Sequence, residues 1–152
     1  MWKNSEPWEN GKSENNCGSD WIILDRSNFE GEVSTNAKEI KARTKRFALD
    51  IIELTDSLPR TRTGEVLGKQ LLRAATSVGA NYRAACRARS RADFISKVSV
   101  VEEESDESLY WLELIAESRL LPQKRPEMLM KEADELTAIF VASGRTAKQN
   151  RS

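Results

Sequence analysis

Four stretches of this chain place apolar or small residues at alternating steps of three and four, the spacing that gathers them on one side of an α-helix. The segments between these stretches are short, and two of them contain Pro59 and Pro122. Short connections make consecutive helices run in opposite directions. The pattern predicts an all-α fold, an antiparallel up-down-up-down four-helix bundle over residues 36–148, with a disordered or extended N-terminal leader at 1–35 and a basic tail at 149–152.

The predicted helices have recognisable ends as well as a periodic face. They cover residues 36–58, 63–89, 90–120 and 126–147. Ser90 and Asp93 have the capping-box spacing, so the third helix is predicted to begin there, and Pro126 suits the first position of the fourth. Gly79 lies inside the second helix, where it is expected to permit close approach of a neighbouring helix. The predicted core positions are Ile40, Thr44, Phe47, Ile51, Leu54 and Leu58; Leu67, Leu71, Ala75, Val78, Tyr82 and Cys86; Phe94, Val98, Val101, Ser105, Leu109, Leu112 and Ala116; Leu129, Ala133, Leu136, Phe140 and Ser143.

The leader differs in composition from the rest of the chain. Asn, Ser, Glu and Gly dominate residues 4–20, and such a segment cannot bury enough apolar surface to fold alone. The apolar run Trp21-Ile22-Ile23-Leu24 is compatible with a strand, with a docking peptide or with a translated extension that has no role. Because the sequence from Val33 onward resembles the beginning of a protein, we hypothesise that translation begins at Val33.

The composition argues against most kinds of enzyme. The chain has no histidine, which removes the commonest general base and the commonest transition-metal ligand. Cys17 and Cys86 lie far apart and outside any Cys-x-x-Cys arrangement, so no disulfide framework is predicted. No Gly-rich phosphate loop or nucleophile elbow is present. We therefore expect a protein that is not an enzyme and uses no metal and no cofactor. It lacks a secretory signal and a run of about 18 apolar residues, so a cytoplasmic protein without a membrane span is expected.

Charge is distributed unevenly although the net charge is zero. In the predicted topology the start of helix one, the junction of helices two and three, and the end of helix four meet at one end, which gathers fourteen Lys and Arg residues against Glu39 and Asp93. Residues 102–135 hold eleven carboxylates against four cations. Arginine binds phosphate through a planar pair of hydrogen bonds, so the basic end is predicted to contact RNA or DNA. The bland alternative is a charged surface that only keeps the protein in solution. The predicted nucleic-acid-binding residues are Lys41, Lys45, Arg73, Arg83, Arg87, Arg91, Lys97, Arg145 and Lys148.

Two further patterns concern helix surfaces. Val100, Trp111 and Leu114 form a second apolar streak on helix three, and an exposed Trp on a helix face favours contact between subunits. They are the predicted oligomer contacts. Polar side chains beside the core face of helix two are predicted to hydrogen-bond to helix three at Glu104 or Ser105. These polar residues are Gln70, Ser77 and Asn81.

Three blocks of sequence resemble a known family. They are residues 68–85 (GKQLLRAATSVGANYRAA), residues 89–94 (RSRADF) and residues 103–112 (EESDESLYWL). Together they resemble the bacterial four-helix bundle proteins linked to 23S rRNA intervening sequences. The resemblance implies a four-helix bundle that forms a homopentamer. It also implies kinship with the accessory protein of diversity-generating retroelements, in which a basic barrel engages nucleic acid and a reverse transcriptase. The family carries no established catalytic residues to transfer.

Two functional hypotheses follow. The first is a non-enzymatic, homo-oligomeric protein that binds RNA or DNA through its basic end. The second is an interaction scaffold that docks a protein partner, such as a reverse transcriptase or another polymerase, without touching nucleic acid.

Overall fold

The computed structural model describes residues 37–122 and 124–149. This part of the chain forms four α-helices and no strand: α1 (Ala37–Asp56), α2 (Arg62–Ala85), α3 (Arg91–Glu117) and α4 (Lys124–Gln149). The all-helical prediction is confirmed. The leader at 1–35, with its Trp21–Leu24 run and the hypothetical start at Val33, lies outside the described residues. None of the helices described is long and apolar enough to span a membrane.

The end of α2 and the start of α3 are determined by local hydrogen bonds. Ser90 is the N-cap of α3, as predicted: its extended backbone leaves the helix and its hydroxyl accepts from the Asp93 N–H at 3.1 Å. The Asp93 carboxylate in turn accepts from the Arg89 N–H at 2.9 Å. The prediction that the second helix reaches Arg89 is wrong, because α2 ends at Ala85. The chain has to leave the helix before it can adopt the extended conformation of the Ser90 cap.

The other helix ends differ from the predictions by a few residues. Helix α3 stops at Glu117, and Arg119 follows in the left-handed region at φ 57°, the conformation that commonly terminates helices. Helix α4 begins at Lys124, so Pro126 is not the first residue of the helix. It still lies in the first turn, where a missing N–H removes no intrahelical hydrogen bond.

One apolar core joins all four helices. Most predicted core positions are buried, while Leu67, Leu109, Ala116, Leu129 and Ser143 are only half-buried. Each helix buries more positions than predicted, because a helix packed in a globular protein buries a stripe broader than two positions per heptad. The additional buried residues are Gly64, Gly68, Ala74, Ala85, Ser108, Ile115, Pro126, Gly144 and Ala147.

Small residues bring helices α1 and α2 close together. A Cβ atom added at Gly79 would lie 3.5 Å from the Thr44 hydroxyl oxygen, and one at Gly68 would lie 3.0 Å from Leu58 Cδ1. The Thr44 hydroxyl donates to the Ile40 carbonyl at 2.9 Å, so this buried polar group is satisfied. Thr44 of α1 lies against Gly79 of α2, but an alanine Cβ would also fit there at ordinary contact distance, so this approach does not require the predicted glycine.

The polar residues of α2 do not bond to α3 as predicted. Ser77 donates to the Arg73 carbonyl at 2.8 Å and Asn81 to the Ser77 carbonyl at 2.9 Å, both within α2. Short polar side chains in helices commonly bond to the carbonyl one turn back, and this local bond is what they form here. Ser105 instead bonds to α4: it donates to the Ala133 carbonyl at 3.2 Å and accepts from Thr137 at 2.9 Å.

Ion pairs link helices α1 and α4. The Arg43 guanidinium binds Glu132 through two hydrogen bonds of 2.6 and 2.8 Å and also contacts Glu135. These partners raise the pKa of Arg43 above its already high value. Towards the other end of α1, Arg125 donates to Glu53 at 2.9 Å. A planar guanidinium held by two carboxylates fixes the relative position of the two helices.

Substituting two glycines of α2 by alanine is expected to have opposite effects on stability. A methyl group at Gly64 would overlap the Pro59 carbonyl oxygen, which is backbone and cannot turn aside, so Gly64→Ala should lower the free energy of unfolding by about 1–3 kcal/mol. At Gly79 the methyl group meets ordinary contact distances, so Gly79→Ala should raise it by up to about 1 kcal/mol. Urea unfolding followed by circular dichroism measures both values, and equal losses at the two positions would contradict the packing described.

Candidate nucleic-acid interface

Three helix ends meet where α2 turns into α3. The connection of residues 86–90 is too short to separate the end of α2 from the start of α3. The Arg91 guanidinium donates to the Lys148 carbonyl at 2.9 Å and to the Ala147 carbonyl, which places the last turn of α4 at the same corner. We call this region the α2–α3 corner, defined by residues 83–97 and the adjoining end of α4.

A cleft of about 620 Å³, largely open to solvent, lies at the α2–α3 corner. Its lining consists of three cations, one carboxylate and a small apolar residue: Arg87, Arg89, Lys97, Asp93 and Ala84. Arg87 and Arg89 are exposed, and Lys97 is half-buried. The cleft therefore offers a net positive charge to solvent.

Asp93 is the one acid that the described part of the chain contributes to this cleft. Its carboxylate accepts hydrogen bonds from the Lys97 ammonium and from the Arg89 N–H, and these bonds hold the pKa of Asp93 below its usual range. Asp93 is consequently ionised at neutral pH, and its negative charge compensates part of the positive charge of Lys97. The side chains of Arg87 and Arg89 leave the cleft with an excess of positive charge, which can attract an anion.

The structure brings some of the predicted binding residues together and separates others. Arg87 and Lys97 share the cleft, and Arg83 lies exposed one turn earlier on α2. Arg145 and Lys148 are exposed on the last turns of α4, beside Arg91. Exposed Lys45 and half-buried Lys41 flank Thr44, which contacts Gly79, so the first half of α1 lies beside the second half of α2.

Arg73 and Arg91 are engaged elsewhere. Arg73 lies fourteen residues before Arg87, or about 21 Å along the helix axis, and donates to Glu107 at 2.6 Å. It therefore does not join the α2–α3 corner. Arg91 does, but its guanidinium binds the final carbonyls of α4, where a positive charge complements the helix dipole.

The sequence places Arg89 and Asp93 at the basic end, but neither was among the predicted nucleic-acid-binding residues. The signal was present, because the Ser90–Asp93 capping pattern was recognised as a helix start. The capping pattern does not indicate into which part of the surface the neighbouring side chains point. Only the turn of the backbone between α2 and α3 directs Arg89, Asp93 and Lys97 into one cleft.

A second surface lies between α2 and α3 further along the bundle. Trp111 donates its indole N–H to Glu107 at 3.0 Å, and the Tyr110 ring packs edge-on against Trp111 with centroids 5.0 Å apart. Of the predicted oligomer contacts, Val100 is 39% exposed, whereas Trp111 and Leu114 are half-buried. Tyr110, which the sequence reasoning missed, is 52% exposed.

Two carboxylates beside Arg73, those of Glu104 and Glu107, have pKa values shifted in opposite directions. Burial raises the pKa of Glu104, and Arg73 Nη1 lies 3.8 Å from its nearer oxygen. The hydrogen bond from Trp111, followed by that from Arg73, lowers the pKa of Glu107. Folding therefore favours the neutral form of Glu104 and the charged form of Glu107.

Glutamine substitutions at these two positions should change stability with opposite sign. Glu104→Gln removes a desolvated charge and should raise the free energy of unfolding at pH 7, with the gain disappearing as pH falls and Glu104 takes up its proton. Glu107→Gln should lower it at pH 7, and this loss should fade as the pH falls through the depressed pKa of Glu107. Urea unfolding at several pH values gives both profiles, and two profiles of the same sign would contradict the assignment.

The described residues 37–122 and 124–149 contain no group of three or more Asp, Glu or Cys side chains placed to hold a metal ion. Glu103, Asp106 and Glu117 of the acidic helix α3 are exposed, and Glu113 is half-buried.

Comparison with known proteins identifies the family. A family model for the 23S rRNA-intervening sequence protein matches residues 37–142. Among solved structures, the chain is similar to a protein of unknown function from the S23 ribosomal protein family of Bacteroides thetaiotaomicron, with 32% identity and a TM-score of 0.67. The alignment covers 72% of this chain and 97% of that chain. No curated protein gives a significant match. Since the matched segment includes α1, α2, α3 and most of α4, the chain belongs to the 23S rRNA-intervening sequence protein family.

Proposed function

We propose that this protein is a non-enzymatic, homo-oligomeric accessory protein of the cytoplasm that binds RNA or DNA through the basic end of its helical bundle. The observation that carries the proposal is the gathering of exposed cations at the α2–α3 corner. Arg83, Arg87 and Arg89 lie there with the basic end of α4 beside them. The name of the family associates it with rRNA, which makes RNA the first polyanion to test.

The proposal includes the antiparallel order of the helices, since only that order gathers these ends. Pairs of contacts support it. Thr44 is beside Gly79 while Thr55 is beside Gly68, so positions rise along α1 as they fall along α2. In the same way Val98 approaches Gly144 and Ser105 bonds to Ala133.

The chemistry of the interface favours phosphate over bases. Guanidinium groups bind phosphate oxygens through paired hydrogen bonds and remain charged at every physiological pH. Among residues 37–122 and 124–149, no aromatic ring lines the cleft, so base stacking is not expected. Binding should therefore depend little on nucleotide sequence and should weaken steeply as salt rises.

A protein-docking scaffold is the second candidate. The observation that favours it is the surface formed by Tyr110 and Trp111 beside Arg73, because aromatic residues and arginine are enriched in protein interfaces. A reverse transcriptase or other polymerase would be such a partner. In the first proposal this surface serves self-association instead, which would place several basic ends on one assembly and strengthen weak phosphate contacts.

Charge reversal at the α2–α3 corner should abolish most nucleic-acid binding. We expect the double variant Arg83→Glu, Arg87→Glu to bind a fluorescein-labelled, single-stranded 20-nucleotide RNA roughly tenfold more weakly, and the magnitude of the slope of log affinity against log salt to fall by about 1.4. Fluorescence anisotropy at several salt concentrations measures both quantities.

The matched control reverses two exposed arginines at the α1–α2 connection, Arg60→Glu and Arg62→Glu, which change the net charge equally but lie about 35 Å away along α2. Equal losses in the two double variants would show that only net charge matters. Unchanged RNA binding in the α2–α3 corner variant would overturn the nucleic-acid proposal, whereas retained capture of a polymerase partner would then favour the scaffold.

Self-association should depend on the exposed apolar residues of α3. We expect the unaltered protein to form an oligomer of about five 17.2 kDa chains, the number that the family resemblance implies. The double variant Val100→Glu, Tyr110→Glu should shift it towards monomer, because charges cannot be buried unpaired at a subunit contact. Met128→Glu is the control, since Met128 is 78% exposed on α4. Light scattering after size-exclusion chromatography gives the mass, and an unchanged mass in the α3 variant would exclude this contact.

A further inference from the structure

The α2–α3 corner cleft already holds an anion of the protein itself. The Asp93 carboxylate accepts from the Arg89 backbone N–H at 2.9 Å and from the Lys97 ammonium, and it stands among the side chains of Arg87 and Arg89. This carboxylate is bound by a backbone N–H and an ammonium, with two guanidinium groups lining the same cleft, and these are the kinds of donor that bind phosphate oxygens.

The charge of the cleft fits a phosphate group. The lining has three cations and one carboxylate, so the cleft retains two positive charges after Asp93 is neutralised. A phosphate monoester carries about 1.5 to 2 negative charges at neutral pH, inorganic phosphate carries between one and two, and each phosphodiester of a nucleic-acid backbone carries one. Either ligand would leave little uncompensated charge in the cleft.

We infer that this cleft is a binding site for a phosphate group, and that Lys97 exchanges its bond to Asp93 for a bond to the phosphate when the site is filled. Arg87 and the Arg89 side chain bind the remaining phosphate oxygens. Asp93 therefore competes with the ligand for Lys97 and weakens binding. As a statement about the nucleic-acid backbone, the inference rests on the proposed function, but free phosphate tests the site independently.

The mobility of Lys97 makes the exchange feasible. Its ammonium is carried on a flexible stem of four carbons, and its partner Asp93 lies one turn away on the same helix. The ammonium can therefore move from one acceptor to another without a movement of the backbone. Ion pairs of this i,i+4 kind on a surface are weak, and a second anion can displace them. Asp93 itself stays in place, since its backbone and carboxylate are both part of the α3 cap.

The test compares four forms of the full chain in titrations with inorganic phosphate, followed by the backbone amide signals of Ala84, Arg89 and Asp93 in NMR spectra. The unaltered protein should show saturable shifts at these amides. Lys97→Gln should weaken phosphate binding about fivefold or more, because it removes the ammonium charge and leaves the negative charge of Asp93 without its ion-pair partner. Asp93→Asn should tighten it severalfold, since it frees Lys97 while the amide oxygen can still accept from the Arg89 N–H. Arg60→Gln, at the other end of α2, should not change it.

The outcome at Asp93 protects the test against misfolding, because a disrupted fold cannot bind phosphate more tightly. Absence of saturable shifts in the unaltered protein, or equal affinities in Lys97→Gln and Arg60→Gln, would overturn the site. The same four forms are then titrated into the labelled RNA. Phosphate binding in the expected order without any RNA binding would keep the phosphate site and reject the proposed function. RNA binding that is insensitive to Lys97→Gln, together with no phosphate binding, would reject the site and keep the proposed function.

Discussion

The hydrogen bonds of the α3 cap determine where the side chains of the candidate site lie. Ser90 accepts from the Asp93 N–H, and Asp93 accepts from the Arg89 N–H, so the chain is held in an extended conformation for one residue between two helices. This reversal ends α2 at Ala85 and starts α3 at Arg91. It directs Arg91 to the carbonyls of α4 and leaves Arg87, Arg89 and Lys97 around the cleft. The cap and the candidate binding site are therefore made by the same few residues.

Arginines serve two purposes in this fold, and their partners distinguish them. Arg43, Arg73 and Arg125 form ion pairs with carboxylates of a different helix and fix how the helices pack. Arg83 and Arg87 are exposed at the α2–α3 corner. In a chain with zero net charge, attraction for a polyanion has to come from this local separation of charges and not from the total.

The helices and most of the core could be predicted from periodicity because burial on one side of a helix constrains every third or fourth residue. The step from Ile40 to Thr44 to Phe47 is an example, and all three are buried. The hydrogen-bond partners of single polar side chains could not be predicted from periodicity. Ser77 and Asn81 bond within their own helix, and Ser105 turns to α4 rather than α2, because hydrogen-bond choice depends on neighbours a few ångströms away.

Sequence by itself determined the number of helices, the position of the α3 cap and the membership of a family, since each depends on residues close together along the chain. Tertiary structure alone decided which cations remain open to a ligand. Arg73 and Arg87 look alike in the helical pattern of α2, yet one meets Glu107 of α3 and the other lines a cleft. The reason is physical: a charge acts over a few ångströms through space, and the fold sets which opposite charges come within that distance.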